Sequence, residues 1–489
     1  MSSLTGFDST VLHDTLNRCA AASILVVGDL MLDEYVGGVV DRISPEAPVP
    51  IVRARSREFR LGGAGNVARQ LVALGSTVTL VGIVGEDAAG EIVRQLCKES
   101  GISAEALVTV SHRQTTKKLR ILSQSQQLLR VDWEDSEPAS NQDSDALLEA
   151  IRRSSPADAV ILSDYAKGVL TPRVIAGVMR WRHSAAQVIV VDPKHRSFAR
   201  YRGANVLTPN LRELGDAVGY GLDPTDLPTI TAAARSQLQT GDFDALVVTL
   251  GERGILIVQA DGSDMLLPAL KRAVYDVTGA GDTAAAVLTA CLATGATLVT
   301  AARIANVAAG IAVGEIGAVA VPSSRITDAL AGKLPSKLLS WAELQARVEQ
   351  WRQRGQRLVF TNGCFDLLHP GHLSLLNYAK SLGDILVLAI NSDAAVRRLK
   401  GPSRPVVSQE DRAAMLSALE CVDAVTIFEE DTPLEIVRGI QPEVLVKGQD
   451  YRLDEVVGRD IVEAAGGRVV LAPLLDNYST TSLLTRARA

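Results

Sequence analysis

Two series of short β-branched runs, each run set apart from the next by room for a helix, constrain this chain more than any other feature. The first series reads ILVVGD (24–29), VTLVGIVG (78–85), AVILSDY (159–165), VIVVDPK (188–194) and ALVVTLG (245–251). Stretches such as 86–100 and 172–184 fill the gaps with helical patterning. Strand then helix, repeated, predicts a mostly parallel α/β sheet covered on both faces. Segments 33–60 and 106–132 break the rhythm. IVRARSREFRL and TTKKLRILSQSQQLLRVD are extended and alternating, the pattern of a β-ribbon or lid beside the sheet. Near 322, VPSSRITDALAGKLPSK carries Pro, Ser and Gly without a strand signal and marks the domain exit. A helix is predicted over 341–353. A second series then follows, RLVFTNG, DILVLAINSD, DAVTIFEE, VLVKGQD and RVVLAP, and builds a smaller α/β unit. The organisation expected is a domain over 1–325, a linker and connecting helix over 326–350, and a second domain over 351–489.

Composition removes several function classes. A formal charge of −6 gives no general attraction to nucleic acid or to an anionic membrane, and neither is an expected partner. The five cysteines are scattered without a CxxC pair, so neither a zinc site nor a disulfide framework is expected, which suits a reducing cytosol. The start, MSSLTGFDSTVLHDTLNRCA, lacks the basic and apolar regions of a secretory signal, and a cytoplasmic location is expected. Thr283 to Ala302 is uncharged, but it is rich in Ala, with five Thr and a Gly. That composition inserts poorly into lipid and predicts a packed interior helix with a turn at Gly295.

DVTGAGDTAAA (276–286) places glycines directly before an Ala-rich helix. Such glycines let the amides of Gly279, Ala280 and Gly281 converge on a phosphate at a helix N-terminus, an anion hole. Asp282 then stands where a carboxylate can take the proton of an attacking hydroxyl. LGGAGNVARQL (61–71) is a second glycine turn, offering Gly62, Gly63 and the hydroxyl-binding amide of Asn66. Asp29 and Asp33 follow the first strand, where ligands gather in open α/β sheets. TPNLRE supplies Asn210, Leu211, Arg212 and Glu213, with Asn210 and Glu213 suited to ordering Mg²⁺ through water. Thr249 and Gly251, in VVTLGERG, are expected along the nucleotide.

Residues 24–325 resemble the ribokinase-type carbohydrate kinases, with both glycine signatures, NxxE and GAGD in the family's order. The resemblance implies a three-layer α/β/α domain with a β-lid and makes Asp282 the base. RISPEAPVPIV, LSDYAKG, DPKHRSFARYRGANVLTPNLRE and YDVTGAGD are similar to the heptose 7-phosphate kinases of lipopolysaccharide core synthesis. That likeness implies phosphorylation of the anomeric hydroxyl. A phosphosugar acceptor needs a second anion pocket; the cationic candidates are Lys117, Lys118, Arg120, Arg130, Lys167 and Lys194, with Lys167 and Lys194 foremost because they follow strands. Each also reads as a solvated surface charge. Mg²⁺ with ATP is the implied cofactor, and a monovalent cation in the kinase domain is a further candidate.

TNGCFDLLHPGH (361–372) holds two of the chain's six histidines within four residues, His369 and His372. At i and i+3 they share a helix face, and no third ligand completes a metal site of the HExxH type. Helix-start imidazoles instead suit a phosphate, and the Pro-Gly between them allows close approach. No metal site made by protein groups alone is expected. The segment resembles the HxGH nucleotidyltransferases of the cytidylyltransferase-like branch, which implies a smaller Rossmann-like domain. Thr361, Asn362, Gly363, Phe365, Asp366, Lys400, Arg412, Lys447, Ser479, Thr480 and Thr481 are then the implied nucleotide contacts. Asp366 is placed to order either the histidines or Mg²⁺. The triphosphate contacts do not discriminate ATP from CTP. ATP follows from the likeness of RLKGPSRPV, EEDTP and LVKGQDY to heptose 1-phosphate adenylyltransferases.

The resulting expectation is a bifunctional enzyme acting on ATP and heptose phosphates, with a separate phosphatase working between its two steps. A homodimer pairing through the β-lid is expected. Two alternatives are a different sugar kinase fused to a CTP-dependent transferase, and a ligand sensor with one inactive domain.

Overall fold

In the computed structural model, the described residues are 9–123, 126–184, 186–269, 278–314, 318–331, 337–353, 355–449 and 451–473. Ser479, Thr480 and Thr481 lie outside them. The chain divides into two compact units, with the change at Leu334/Pro335. Ile326 belongs to the core of the first unit, whereas Leu344, Val348 and Trp351 of the helix Trp341–Gln353 belong to a core of the second. The predicted linker segment is therefore shared out between the two cores.

The first unit carries β1 (Ser23–Gly28), β2 (Leu30–Ile43), β3 (Pro50–Gly63), β4 (Thr77–Gly85), β5 (Leu107–Val110), β6 (Lys117–Ser123), β7 (Gln126–Trp133), β8 (Ala159–Ser163), β9 (Val188–Asp192), β10 (Val206–Leu207), β11 (Ala245–Thr249), β12 (Ile255–Gln259) and β13 (Asp264–Leu267). Among the described residues the main sheet has the order β13-β12-β11-β10-β9-β8-β1-β4-β5. From β11 across β10, β9, β8, β1 and β4 to β5 all neighbours pair in parallel, and β12 and β13 close one edge as antiparallel partners. The β-branched runs are buried on both faces because successive side chains point to opposite sides. Ile24 and Val26 enter one core, while Leu25 and Val27 enter the other.

The first of those cores is rich in alanine. Helices Ala280–Ala293 and Leu298–Ala312 pack there, separated by Gly295 at φ +79° and restarted by the Thr297 cap. No helix among the described residues is long and apolar enough to cross a membrane. The alternating segments form a four-stranded ribbon, β3-β2-β6-β7. Its long hairpin pairs Leu30 with Gly63 at the root and Ile43 with Pro50 at the tip.

The second unit carries β14 (Leu358–Gly363), β15 (Ile385–Asn391), β16 (Ala424–Phe428), β17 (Val444–Gly448) and β18 (Arg468–Ala472), in the order β16-β15-β14-β17-β18 and all parallel. The chain leaves β14 first toward β15 and later returns to β17 on its other side. β14 is thus a topological switch point, and in open parallel sheets the crevice for a ligand opens at the C-terminal ends of such strands. β1 plays the same part in the first unit, between β4 and β8.

Candidate active sites

Asp282 stands in the first turn of the helix Ala280–Ala293, behind Gly279, whose φ of +78° is a left-handed conformation that glycine adopts without strain. Its carboxylate is buried and both oxygens are engaged. The Asn66 amide donates to Oδ2 at 2.7 Å, and the Tyr165 hydroxyl donates to Oδ1. Burial pushes the Asp282 carboxyl above its ordinary value; the two hydrogen bonds oppose that rise, Asp33 adds to it and Arg69 opposes it. Tyr165, pushed well above the usual phenol range by burial and then by Asp282 and Asp192, stays a donor. Asp192, at the end of β9, is also pushed well up, by burial first and then by Asp282 and Glu213. This crowding of negative charge around a helix N-terminus suits a cation-bound polyphosphate. Among the described residues no group of three or more His, Cys, Asp or Glu side chains is arranged to hold a metal ion.

The other expected kinase residues are gathered at the same sheet edge, with most of their polar atoms committed. Asp29 is 1% exposed and accepts backbone N–H groups from Tyr165 (2.8 Å), Lys167 (3.0 Å) and Val169 (3.0 Å). It organises a loop instead of offering its carboxylate to a sugar. Asn66, read as a hydroxyl binder, spends its amide on Asp282 and accepts Arg69 Nη2 at 2.9 Å. Asp33 pairs with Arg120 at 2.5 Å. Gly62 and Gly63 end β3 against these carboxylates; a Cβ on Gly63 would fall 2.4 Å from the Asp29 carbonyl oxygen. Lys167 pairs with Glu134 at 2.8 Å, and Lys194 with Glu213 at 2.8 Å.

Asn210 and Glu213 cap each other across the first turn of the helix Leu211–Val218, which carries Leu211 and Arg212. A bridge between Asn210 and Thr249 joins that cap to β11, with Gly251 following at φ +58°. Sequence reasoning missed Tyr165, Asp192 and Arg69. Tyr165 and Asp192 lie in strings already recognised, LSDYAKG and DPKH, at strand ends beside the switch point.

In the second unit His369 is the N-cap of the helix Pro370–Ser381, and Pro370 at its first position fixes the entry. The His369 and His372 rings stack with centroids 3.7 Å apart. Phe365 lies against His372 at 5.0 Å. Burial, and then His369, lower the His372 imidazole to about 4; burial alone lowers His369. Thr361 Oγ1, Asn362 Oδ1, His369 Nδ1 and His372 Nδ1 are buried without a hydrogen-bond partner among the described residues. Buried polar atoms with capacity to spare, at the C-terminal end of a switch-point strand, suit a polar ligand. Lys447 approaches from β17, donating to the Asn362 carbonyl at 3.2 Å, and Lys400 and Arg404 act electrostatically on Cys364 in the turn.

Two residues expected in the nucleotide site have other partners. The Asp366 carboxylate, 2% exposed, meets neither histidine; it accepts the amides of Val406 (2.7 Å) and Val407 (3.0 Å) and the Arg404 guanidinium. Arg412 is fully buried and donates to Asp393 at 2.7 Å, to the Cys364 carbonyl at 2.5 Å and to the Val407 carbonyl at 3.1 Å. Its interior location, bridging the HxGH turn, segment 401–407 and the helix Asp393–Lys400, makes it a fastening and not a surface cation. Removing one partner of such a pair leaves the other charge uncompensated. Arg412→Ala is expected to destabilise the second unit by about 3 kcal/mol, measured by denaturant unfolding of the whole chain, with kinase turnover unchanged.

The pfkB family carbohydrate kinases match residues 21–325, and the cytidylyltransferase-like family matches residues 360–484. Proteins called "Bifunctional protein HldE" are similar over almost the whole length. The one from Paramagnetospirillum magneticum is 45% identical, over 98% of this chain and 98% of its own. The one from Rhodospirillum rubrum is 46% identical, over 97% and 96%. Among solved structures, Escherichia coli phosphofructokinase-2 with substrates and products aligns with a TM-score of 0.53 at 20% identity, covering 64% of this chain and 99% of its own. Arabidopsis thaliana ribokinase with ribose and ATP aligns at 0.51 and 21%, covering 63% and 99%. These two likenesses carry the fold of the first unit. With 45% identity across both units, the chain belongs to the HldE family of bifunctional proteins, a pfkB-type carbohydrate kinase and a cytidylyltransferase-like nucleotidyltransferase in one polypeptide.

Proposed function

We propose that the chain carries out two steps of ADP-heptose synthesis. The kinase unit transfers the γ-phosphoryl of ATP to the anomeric hydroxyl of heptose 7-phosphate. The transferase unit joins heptose 1-phosphate to the adenylyl group of a second ATP and releases pyrophosphate. One observation carries the reading: each unit holds its own helix N-terminus beside a switch-point strand, suited to phosphate, with Asp282 at one and the stacked His369 and His372 at the other. Asp282 is the proton acceptor, and the amides of Gly279 to Gly281 face the transferred phosphoryl group. Asn210 and Glu213 order the Mg²⁺ of ATP through water. His369, His372, Lys400 and Lys447 neutralise charge at the α-phosphorus, and the work is positioning and charge stabilisation without a covalent intermediate.

For the acceptor's own phosphate, the inner face of the ribbon supports Arg60, Lys118 and Arg120, all of which sense Asp33. The exposed Ile43, Val49 and Leu129 on the ribbon support pairing of two copies through it. A separate phosphatase acts between the steps, since the first product carries two phosphates and the second substrate one.

Mass spectrometry of products tests this directly. With ATP, Mg²⁺ and heptose 7-phosphate, a heptose bisphosphate should accumulate. With a phosphatase added, ADP-heptose should appear. Consumption of CTP in place of ATP, or no bisphosphate, would overturn the reading.

A further inference from the structure

Asp282 is held from outside its own helix by a residue of no obvious catalytic type. Tyr165 lies two residues beyond the end of β8, and its hydroxyl donates to Asp282 Oδ1 while Asn66 donates to Oδ2. The loop that carries it is wound around one carboxylate. Asp29, at the end of β1, takes the amides of Tyr165, Lys167 and Val169. Asp164 takes the amide of Ala166 at 2.7 Å and the hydroxyl of Tyr201 at 2.6 Å. Ala166 at φ +54° and Gly168 at φ +88° give the loop the curvature that turns successive amides inward. Such a backbone, closed on a buried carboxylate, leaves Tyr165 little choice of direction.

We propose that Tyr165 is a positioning residue of the kinase base, set in place by Asp29, and that it fixes which lone pair of Asp282 meets the sugar hydroxyl; this rests on the kinase reading above. A carboxylate offers about four acceptor directions. Tyr165 and Asn66 occupy one on each oxygen, so the hydroxyl must approach along one that remains. Both partners are donors, and donors favour the ionised carboxylate, the form that can accept a proton. The groups facing Asp282 from the packed elements are Asp33 of β2, Arg69 of the helix Ala64–Ala73, Asp192 of β9 and Tyr165 itself. Asp33 disfavours the ionised form and Arg69 favours it, while Asp192 is itself pushed up by Asp282. Tyr165 is the neutral donor in the set that can be removed without changing the charge.

The test is the pH profile of kinase kcat/KM, which reports groups of the unliganded enzyme. In Tyr165→Phe of the full chain, the loss of a donor to the charged form raises the Asp282 carboxyl. The acid limb should therefore move to higher pH, by about one unit. KM for ATP should hold. A second arm places 3,5-difluorotyrosine at 165; its stronger donor should move the limb the other way with the packing kept. A limb unmoved in both, whether the rate falls evenly at every pH or does not fall, overturns the inference. If instead Asp282→Asn keeps its kinase activity, the assignment of the base has failed, and with it the ground of this proposal.

Discussion

Asp282→Asn should lower kinase turnover by a factor of about 10²–10⁴, the usual contribution of a positioned base, while adenylylation of supplied heptose 1-phosphate stays close to wild type. The carboxamide is nearly isosteric, so the loss is chemical and not a matter of space. One local cost is foreseeable. The Asn66 amide already donates to the side chain at 282, and its oxygen is taken by Arg69, so it cannot turn over. The substituted carboxamide must aim its single oxygen at Asn66 or at Tyr165, and one bond is lost. A small drop in Tm is expected, and circular dichroism at the assay temperature separates it from the catalytic loss. In the wild type the kinase rate should fall on the acid side above the ordinary Asp range, because burial raises this carboxyl and only its ionised form works. The residual rate of the variant should lack that limb. Loss of both activities in a folded variant would end the claim that the two sites are independent.

His372→Ala should have the mirror effect: adenylyl transfer down by about 10²–10³-fold, as for removal of one donor to developing charge, with the kinase intact. The buried imidazole is lowered to about 4, so it is neutral at working pH before nucleotide binds. It then acts first as an N–H donor. Two results follow. His372→Asn, which keeps a donor, should recover part of what Ala loses, and transferase kcat/KM should run flat through the ordinary histidine range. An acid limb near the usual imidazole value, or an Ala variant with nearly full turnover, would remove His372 from this role.

Local signals pointed to both candidate sites, and long-range contacts decided which partners their residues have. GAGD and HPGH announce themselves because glycine, proline and histidine at fixed offsets dictate a turn and a helix start within a few residues. The strands were legible because they are buried on both faces. Asp29 was placed correctly at the switch point, yet its partners lie more than a hundred residues away, and nothing near it in sequence says that its oxygens serve a loop. Arg412 sits in a polar string, EDRAAML, that reads as surface; only the fold reveals that it is wholly interior. Tyr165 had no signal of its own, since a tyrosine after a buried strand is ordinary until Asp282 is brought beside it. Asn210 and Glu213 show the opposite case: the same short spacing that drew attention to them makes a reciprocal helix cap.

The long hairpin of β2 and β3 has a consequence for anyone who would edit this enzyme. Only Asp29 separates β1 from β2, and β3 runs straight into the helix that bears Asn66. Each strand is 14 residues, about 45 Å when extended. The ribbon is therefore no detachable accessory. Its tip can be shortened or exchanged as a cassette, but a chimera joined at its roots would cut through Asp29 to Asp33 and Arg60 to Asn66, and so would retune the base while appearing to alter only the cover.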